Sequence, residues 1–248
     1  MAKVKTILPL VGTIGGINFY YRKGELIARK AGGGFNGKAI KKSPTMVRVR
    51  EQNHEFANCS KVNKAFKYSI LDLFSGHKDG TLHSRLMALF LKLKTLDSTN
   101  KRGERAVNNG VQTPMGKKFL KDFNFTPKSP ALLPAHYDFD WSSLSFNVNG
   151  FDITLVKFPK NADILEVRLR LLRFDFETLT FKVSDSLPLL IPRDFEPDHF
   201  SLTAPEPEAG SGLLIAFVRV SFYQLVNGKS YLLPGDGALR LRIVGIEE

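Results

Sequence analysis

The hydrophobic period of this chain changes once, and that change decides its fold class. Between residues 51 and 96 the apolar side chains advance by three or four positions, and from residue 164 onward they alternate. The first spacing lines one face of a helix; the second lines one face of a strand. Between the two regimes stand Thr126-Pro127-Lys128-Ser129-Pro130 and Pro134, a run that neither a helix interior nor a central strand tolerates. We therefore expect two modules, residues 1–130 and 131–248. The class is α+β: a basic N-terminal hairpin plus two or three helices, followed by an immunoglobulin-like antiparallel β-sandwich.

In the first module, Ile17, Phe19 and Tyr21 alternate with Asn18, Tyr20 and Arg22 before Lys23-Gly24, which predicts a β-hairpin over residues 17–30. A Gly-rich loop, Ala31–Gly37, follows. Val47–Arg50 reads as a short strand or as the approach to a helix. Phe56, Cys59, Val62, Phe66, Ile70 and Leu73 then line one helical face. Leu82, Leu86, Leu89, Phe90, Leu93 and Leu96 line a second, after Thr81 as N-cap and with Arg85, Lys92 and Lys94 on the opposite side. Residues 97–112 read as a basic, polar loop. Thr113-Pro114 opens a short third helix over 115–122.

The second module reads as strands at 141–148, 151–158, 164–174, 178–183, 213–223, 230–233 and 238–246. Leu165, Val167, Leu169 and Leu171 face one side; Glu166, Arg168 and Arg170 face the other. Asn227-Gly228 and Asn149-Gly150 are hairpin signals. Short strands without intervening helices favour a sandwich. Residues 188–212, rich in Pro and acid, read as an exposed crossing loop.

Charge is divided as unevenly as period. Residues 1–130 carry 25 Lys/Arg against 8 Asp/Glu, and residues 131–248 carry 11 against 16, for a net charge of +12. A concentrated positive field draws polyanions. Nucleic acid and an acidic protein neighbour, including the second module of another copy, are the partners this implies. The contact residues expected are Phe19, Tyr20, Tyr21, Arg22, Lys23, Arg29, Lys30, Lys38, Lys41, Lys42, Arg48 and Arg50. An aromatic, basic hairpin can stack a base or add strands to a neighbour's sheet.

Gly12-x-x-Gly-Gly16, Phe19-Tyr-Tyr-Arg22, Arg48-x-Arg-Glu-x-Asn-x-Glu-Phe56 and Phe222-Tyr-Gln-x-Val-Asn-Gly-Lys-x-Tyr231 carry a resemblance. From about Gly12 to Val244 the chain resembles a family of uncharacterised proteins of Bacteroidota bacteria and their phages. The resemblance implies a non-secreted helix-plus-sandwich protein, with a phage virion component as one setting. It brings no catalytic residues with it.

Chemical motifs are sparse. Gly32-Gly-Gly-Phe-Asn-Gly37-Lys38-Ala39 has the spacing of a phosphate-cradling loop, but Ala39 stands where Ser or Thr would ligate magnesium. Its readings are a flexible tether or a non-catalytic phosphate contact. His54, His77, His83, His136 and His199 show no metal-ligand spacing. Asp194, Glu196, Asp198 and His199 can be drawn as an acid–base cluster but read as solvated surface. Asp138, Asp140 and Asp152 lack the spacing of a calcium loop. No nucleophile elbow occurs. Cys59 cannot pair internally, and its apolar helix face points to burial. No run of about 18 apolar residues is present to span a membrane. The apolar segment Ile7–Ile17 is broken by Pro9, Gly12, Gly15 and Gly16, without a cleavage site, so we expect a cytoplasmic or virion-associated protein. The expected function is non-enzymatic: a structural protein, without catalytic residues, cofactor or metal, that assembles into an oligomer, particle or filament through its basic module. The alternative is a nucleic-acid-binding protein.

Overall fold

The computed structural model describes residues 2–3, 10–32 and 37–247. The chain divides into two compact units, Met1–Asn53 and His54–Glu248. The Pro-rich joint near residue 130 therefore lies inside the second unit. The reason is packing, because the helices that follow residue 54 share a core with the sheet that follows residue 130.

The first unit is built on an antiparallel sheet of β1 (Ala2–Lys3), β2 (Gly12–Ile14), β3 (Ile17–Arg22) and β4 (Glu25–Lys30), in the order β1-β4-β3-β2. The hairpin expected over residues 17–30 is present. Lys23 and Gly24, at φ 52° and 81°, make the turn of two left-handed residues that suits the strand twist. Then comes the short helix α1 (Gly37–Lys42). Pro44 starts a 3-10 turn over Pro44–Met46, and Val47–Arg50 opens α2 (Val47–Ser69) as helix rather than strand. Part of the apolar run Ile7–Ile17 and the centre of the Gly-rich loop fall outside the described residues.

The second unit has three layers. Its helical layer holds the rest of α2, a 3-10 turn over Leu71–Phe74, α3 (Leu82–Leu93), a 3-10 turn over Lys94–Leu96, α4 (Val107–Gln112) and α5 (Pro114–Lys121). Its strands are β5 (His136–Asp140), β6 (Ser145–Asn149), β7 (Ile164–Phe174), β8 (Phe181–Asp185), β9 (Leu189–Pro192), β10 (His199–Thr203), β11 (Leu213–Val226), β12 (Lys229–Leu232) and β13 (Leu239–Ile246). Six form a curled sheet in which β7 and β11 are central and β12, β13, β8 and β9 flank them; β10-β6-β5 form the other. All pairings are antiparallel, and the class is α+β with a sandwich-like pair of sheets.

Alternation on β7 and β11 sorts the layers. Leu165, Val167, Leu169 and Leu171, with Leu214, Ala216, Val218, Val220 and Phe222, face Phe146, Val148 and Leu202 of the smaller sheet. Leu172, Phe174, Ile215 and Phe217 face Phe66, Phe90 and Leu86 of the helices. The charged face expected on β7 therefore lies under the helical layer. Arg170 donates to both Asp72 and Asp185, at 2.6–2.7 Å. Arg219 donates to the Leu73 carbonyl and to Glu166, each at 3.0 Å. These buried guanidinium groups bind the Leu71–Phe74 turn to the sheet.

Several expectations fail for local reasons. Residues 151–158 hold a 3-10 turn over Ile153–Leu155, because the Asp152 carboxylate accepts the Thr154 N–H at 2.8 Å. Residues 188–212 contain β9 and β10, edge strands of the kind that tolerates Pro192. Asn149-Gly150 ends β6 without a hairpin, since β6 pairs with β5 and β10, whereas Asn227-Gly228 closes β11 onto β12. On α2, Phe56 is 49% exposed and Glu55 takes the inward position. Thr81 makes no side-chain cap; its N–H is instead taken by Asp79 at 2.7 Å. Thr113 caps α5, accepting the Gly116 N–H at 3.0 Å. Lys94, expected outside, is buried.

Close backbone approach fixes Gly110. A Cβ on Gly110 would sit 1.9 Å from the Leu93 carbonyl oxygen and 2.7 Å from its carbon. Backbone cannot swing away as a side chain can. Gly110→Ala is therefore expected to cost about 1–3 kcal/mol or more by overpacking, read as a lower urea midpoint with an unchanged slope.

Candidate functional site in the basic N-terminal unit

Residues 1–53 hold eleven Lys/Arg against Glu25 and Glu51, a balance of +9 within a total of +12. Residues 54–248 carry the remaining +3. Several positive side chains of residues 54–130 are answered by carboxylates. Lys94 and Arg105 meet Glu55, Arg85 meets Asp79, Lys101 meets Glu104 and Lys128 meets Asp236. Arg22, Lys23, Arg29, Lys30, Lys41, Lys42 and Arg48 are exposed, and among the described residues none has a carboxylate within 4.0 Å.

Strand register places these groups. Residues directly opposite across an antiparallel pair share a face. Tyr20, Arg22 and Arg29 stand on one face of the sheet, and the Arg29 guanidinium lies 5.5 Å from the centre of the Tyr20 ring. Phe19, Tyr21 and Lys30 stand on the other, beside Ile17. Lys23 is at the turn. The predicted contact residues therefore surround the sheet rather than converge on one side. Lys41 and Lys42 end α1, and Arg48 begins α2. Lys38 is in α1, with its side chain outside the described set. Arg50 is engaged internally: its Nη1 donates to the Ile40 and Ser43 carbonyls at 2.8 and 2.9 Å.

The arrangement suits contact with a charged surface more than bond making. The glycine-lysine motif follows an antiparallel strand, β4, and its residues 33–36 lie outside the described set. The histidines are scattered. His54 bonds the Gly103 carbonyl at 2.7 Å, His83 lies 3.2 Å from Asn63, and His199 pairs with Asp198 at the surface. Among the described residues no group of three or more His, Cys, Asp or Glu is placed to hold a metal ion. Cys59 is buried, and burial pushes its thiol up to about 11, out of the nucleophile's range.

Sequence reasoning missed a buried acidic pair. Glu55 accepts from Arg105 Nε and the Gly103 N–H, both at 2.8 Å, and from Lys94. The Arg105 hydrogen bonds, with help from Lys94 and Gly103, bring its carboxyl down to about 2. Asp97 accepts from the N–H groups of Thr99, Asn100 and Ala106 at 2.8–3.1 Å. Burial opposes ionisation there, yet these donors hold the carboxyl well below the carboxylate range. Together the two acids fold residues 97–106 into an ordered strap. The one signal for Glu55 is its spacing of four from Cys59, on the buried face.

No family model, curated protein or solved structure matches the chain.

Proposed function

We propose that this is a non-enzymatic assembly protein whose N-terminal unit docks on acidic surfaces of neighbouring copies. The observation that carries this reading is the +9 balance within 53 residues, with seven exposed cationic side chains lacking carboxylate partners among the described residues. Acidic surface is available for them. Asp138, Asp194 and Glu196 are exposed on the β-rich part of the second unit, with no cation within 4.0 Å among the described residues. A particle or filament, including a virion, is the setting that the resemblance noted above suggests.

A second reading, nucleic-acid binding, is favoured by one observation. Tyr20, Arg22 and Arg29 share a face and pair a ring with a guanidinium, the combination that stacks bases and holds phosphates.

Native mass measurement separates the two readings. For the wild type at low salt we expect multimers that survive nuclease and dissociate as salt rises, because screening weakens exposed charge pairs. The variant R22E/K23E/R29E is expected to remain monomeric. A wild type monomeric at every salt concentration overturns assembly. Loss of mass on nuclease treatment transfers the unit to nucleic acid.

A further inference from the structure

A second surface, wholly within residues 54–248, carries its own inference. β8 is an edge strand; among the described residues it pairs only with β7. Its Phe181 and Val183 stand opposite Phe174 and Leu172, on the face turned to the helices. The Tyr68 ring meets Phe181 edge-on at 6.1 Å. The flank between α2 and β8 is nevertheless left open: Tyr68 is 70% exposed, Leu71 52% and Val183 43%. These residues line a depression of about 500 Å³, and an adjoining one of about 730 Å³ is lined by Lys61, Lys64, Lys67, Tyr68, Leu71 and Leu179.

We propose that this trough binds an extended acidic and apolar segment of a partner protein, added as a strand to the outer edge of β8. Three features select that occupant. The unpaired edge offers backbone donors and acceptors to a strand. The exposed apolar side chains lie on the helix-facing side of β8, where alternate residues of an added strand would also point. Lys61, Lys64 and Lys67 line the basic part of the trough, and among the described residues none has a carboxylate within 4.0 Å, so charge complementarity calls for Asp or Glu. Nucleic acid suits the site less well. Leu71, Leu179 and Val183 give an aliphatic floor, and the exposed rings among the described residues that line it are Tyr68 and His83.

Panning a random peptide library against the full chain and against K61E/K64E tests the assignment. Lys61 and Lys64 are exposed, so the variant is expected to unfold with the wild type in a thermal scan, which serves as the control. The expected result is enrichment of peptides that mix Asp or Glu with Leu, Val or Phe. Their binding should fall about tenfold on K61E/K64E, weaken with salt, and disappear when Pro is placed in the middle of the peptide. Enrichment without acidic residues overturns the proposal, as does undiminished binding to K61E/K64E. Single-stranded DNA bound through these lysines in place of peptide overturns it too. So does a wild-type dimer, blind to the library, that Tyr68→Asp converts to monomer. None of these outcomes depends on the N-terminal unit, so the assembly reading stands or falls separately.

Discussion

Glu55→Gln is expected to lower the free energy of unfolding by about 3–5 kcal/mol, since it leaves Lys94 buried opposite a neutral group. Glu55 is inaccessible to solvent, and its partners come from two places in the chain: Lys94 after α3, and Gly103 and Arg105 from the strap. Neutralising the carboxylate therefore removes the counter-charge of Arg105 as well. The same group gives a pH dependence. Its folded pKa of about 2 is below the ordinary 4.5, so its contribution is complete above about pH 4.5 and is lost as pH falls toward 2. A shift of that size corresponds to about 3 kcal/mol. The stability difference between wild type and Glu55→Gln, measured by urea unfolding, should thus narrow steadily from about pH 5 to pH 2. A difference that stays constant across that range, or a variant as stable as wild type at pH 7, would show that the pair does not hold the strap.

Phe66→Ala is expected to cost about 3–5 kcal/mol. Phe66 is fully buried and meets Phe90 of α3, Phe174 of β7, Phe176 and Phe217 of β11 at ring-centre distances of 5.2–6.5 Å. One ring therefore links the helical layer to the six-stranded sheet. Truncating it leaves a void on both sides of that contact. If the two layers form one cooperative body, helical and sheet signals will shift to lower denaturant together. A helical signal that melts alone, with the sheet midpoint unmoved, would contradict a shared core.

The elements legible in the sequence are those whose local chemistry agrees with their surroundings. β7 matches its alternation end to end, and Thr113-Pro114 starts α5 as a cap followed by proline should. Both hairpins with turns of two left-handed residues, at Lys23-Gly24 and Asn227-Gly228, were readable for the same reason. The failures share another cause. Glu55, Lys94 and Arg170 are charged residues that hydropathy places outside, and only their partners, 39 and 50 residues away for Glu55 and 98 for the Asp72–Arg170 pair, make the inside tolerable. Periodicity cannot see such pairs. The chain divides at residue 53, and the Pro-rich joint breaks secondary structure without separating the core that helices and sheet share. For the candidate site, residue type pointed to exposed cations, and most are exposed. That Arg50 closes on the Ile40 and Ser43 carbonyls depends on the bend between α1 and α2, which the sequence shows only as Ser43-Pro44.

β11 is buried from Leu213 to Phe222 and supplies side chains to the clusters on both sides of its sheet. It also follows every described helix and all three strands of the small sheet in chain order. A nascent chain that has emerged only through residue 212 has β7 but lacks the second central strand on which its helices and its small sheet both rest. Completion of both clusters of the second unit therefore waits for β11. Until β11 emerges, Phe66, Phe90 and Phe146 lack part of the surface that buries them.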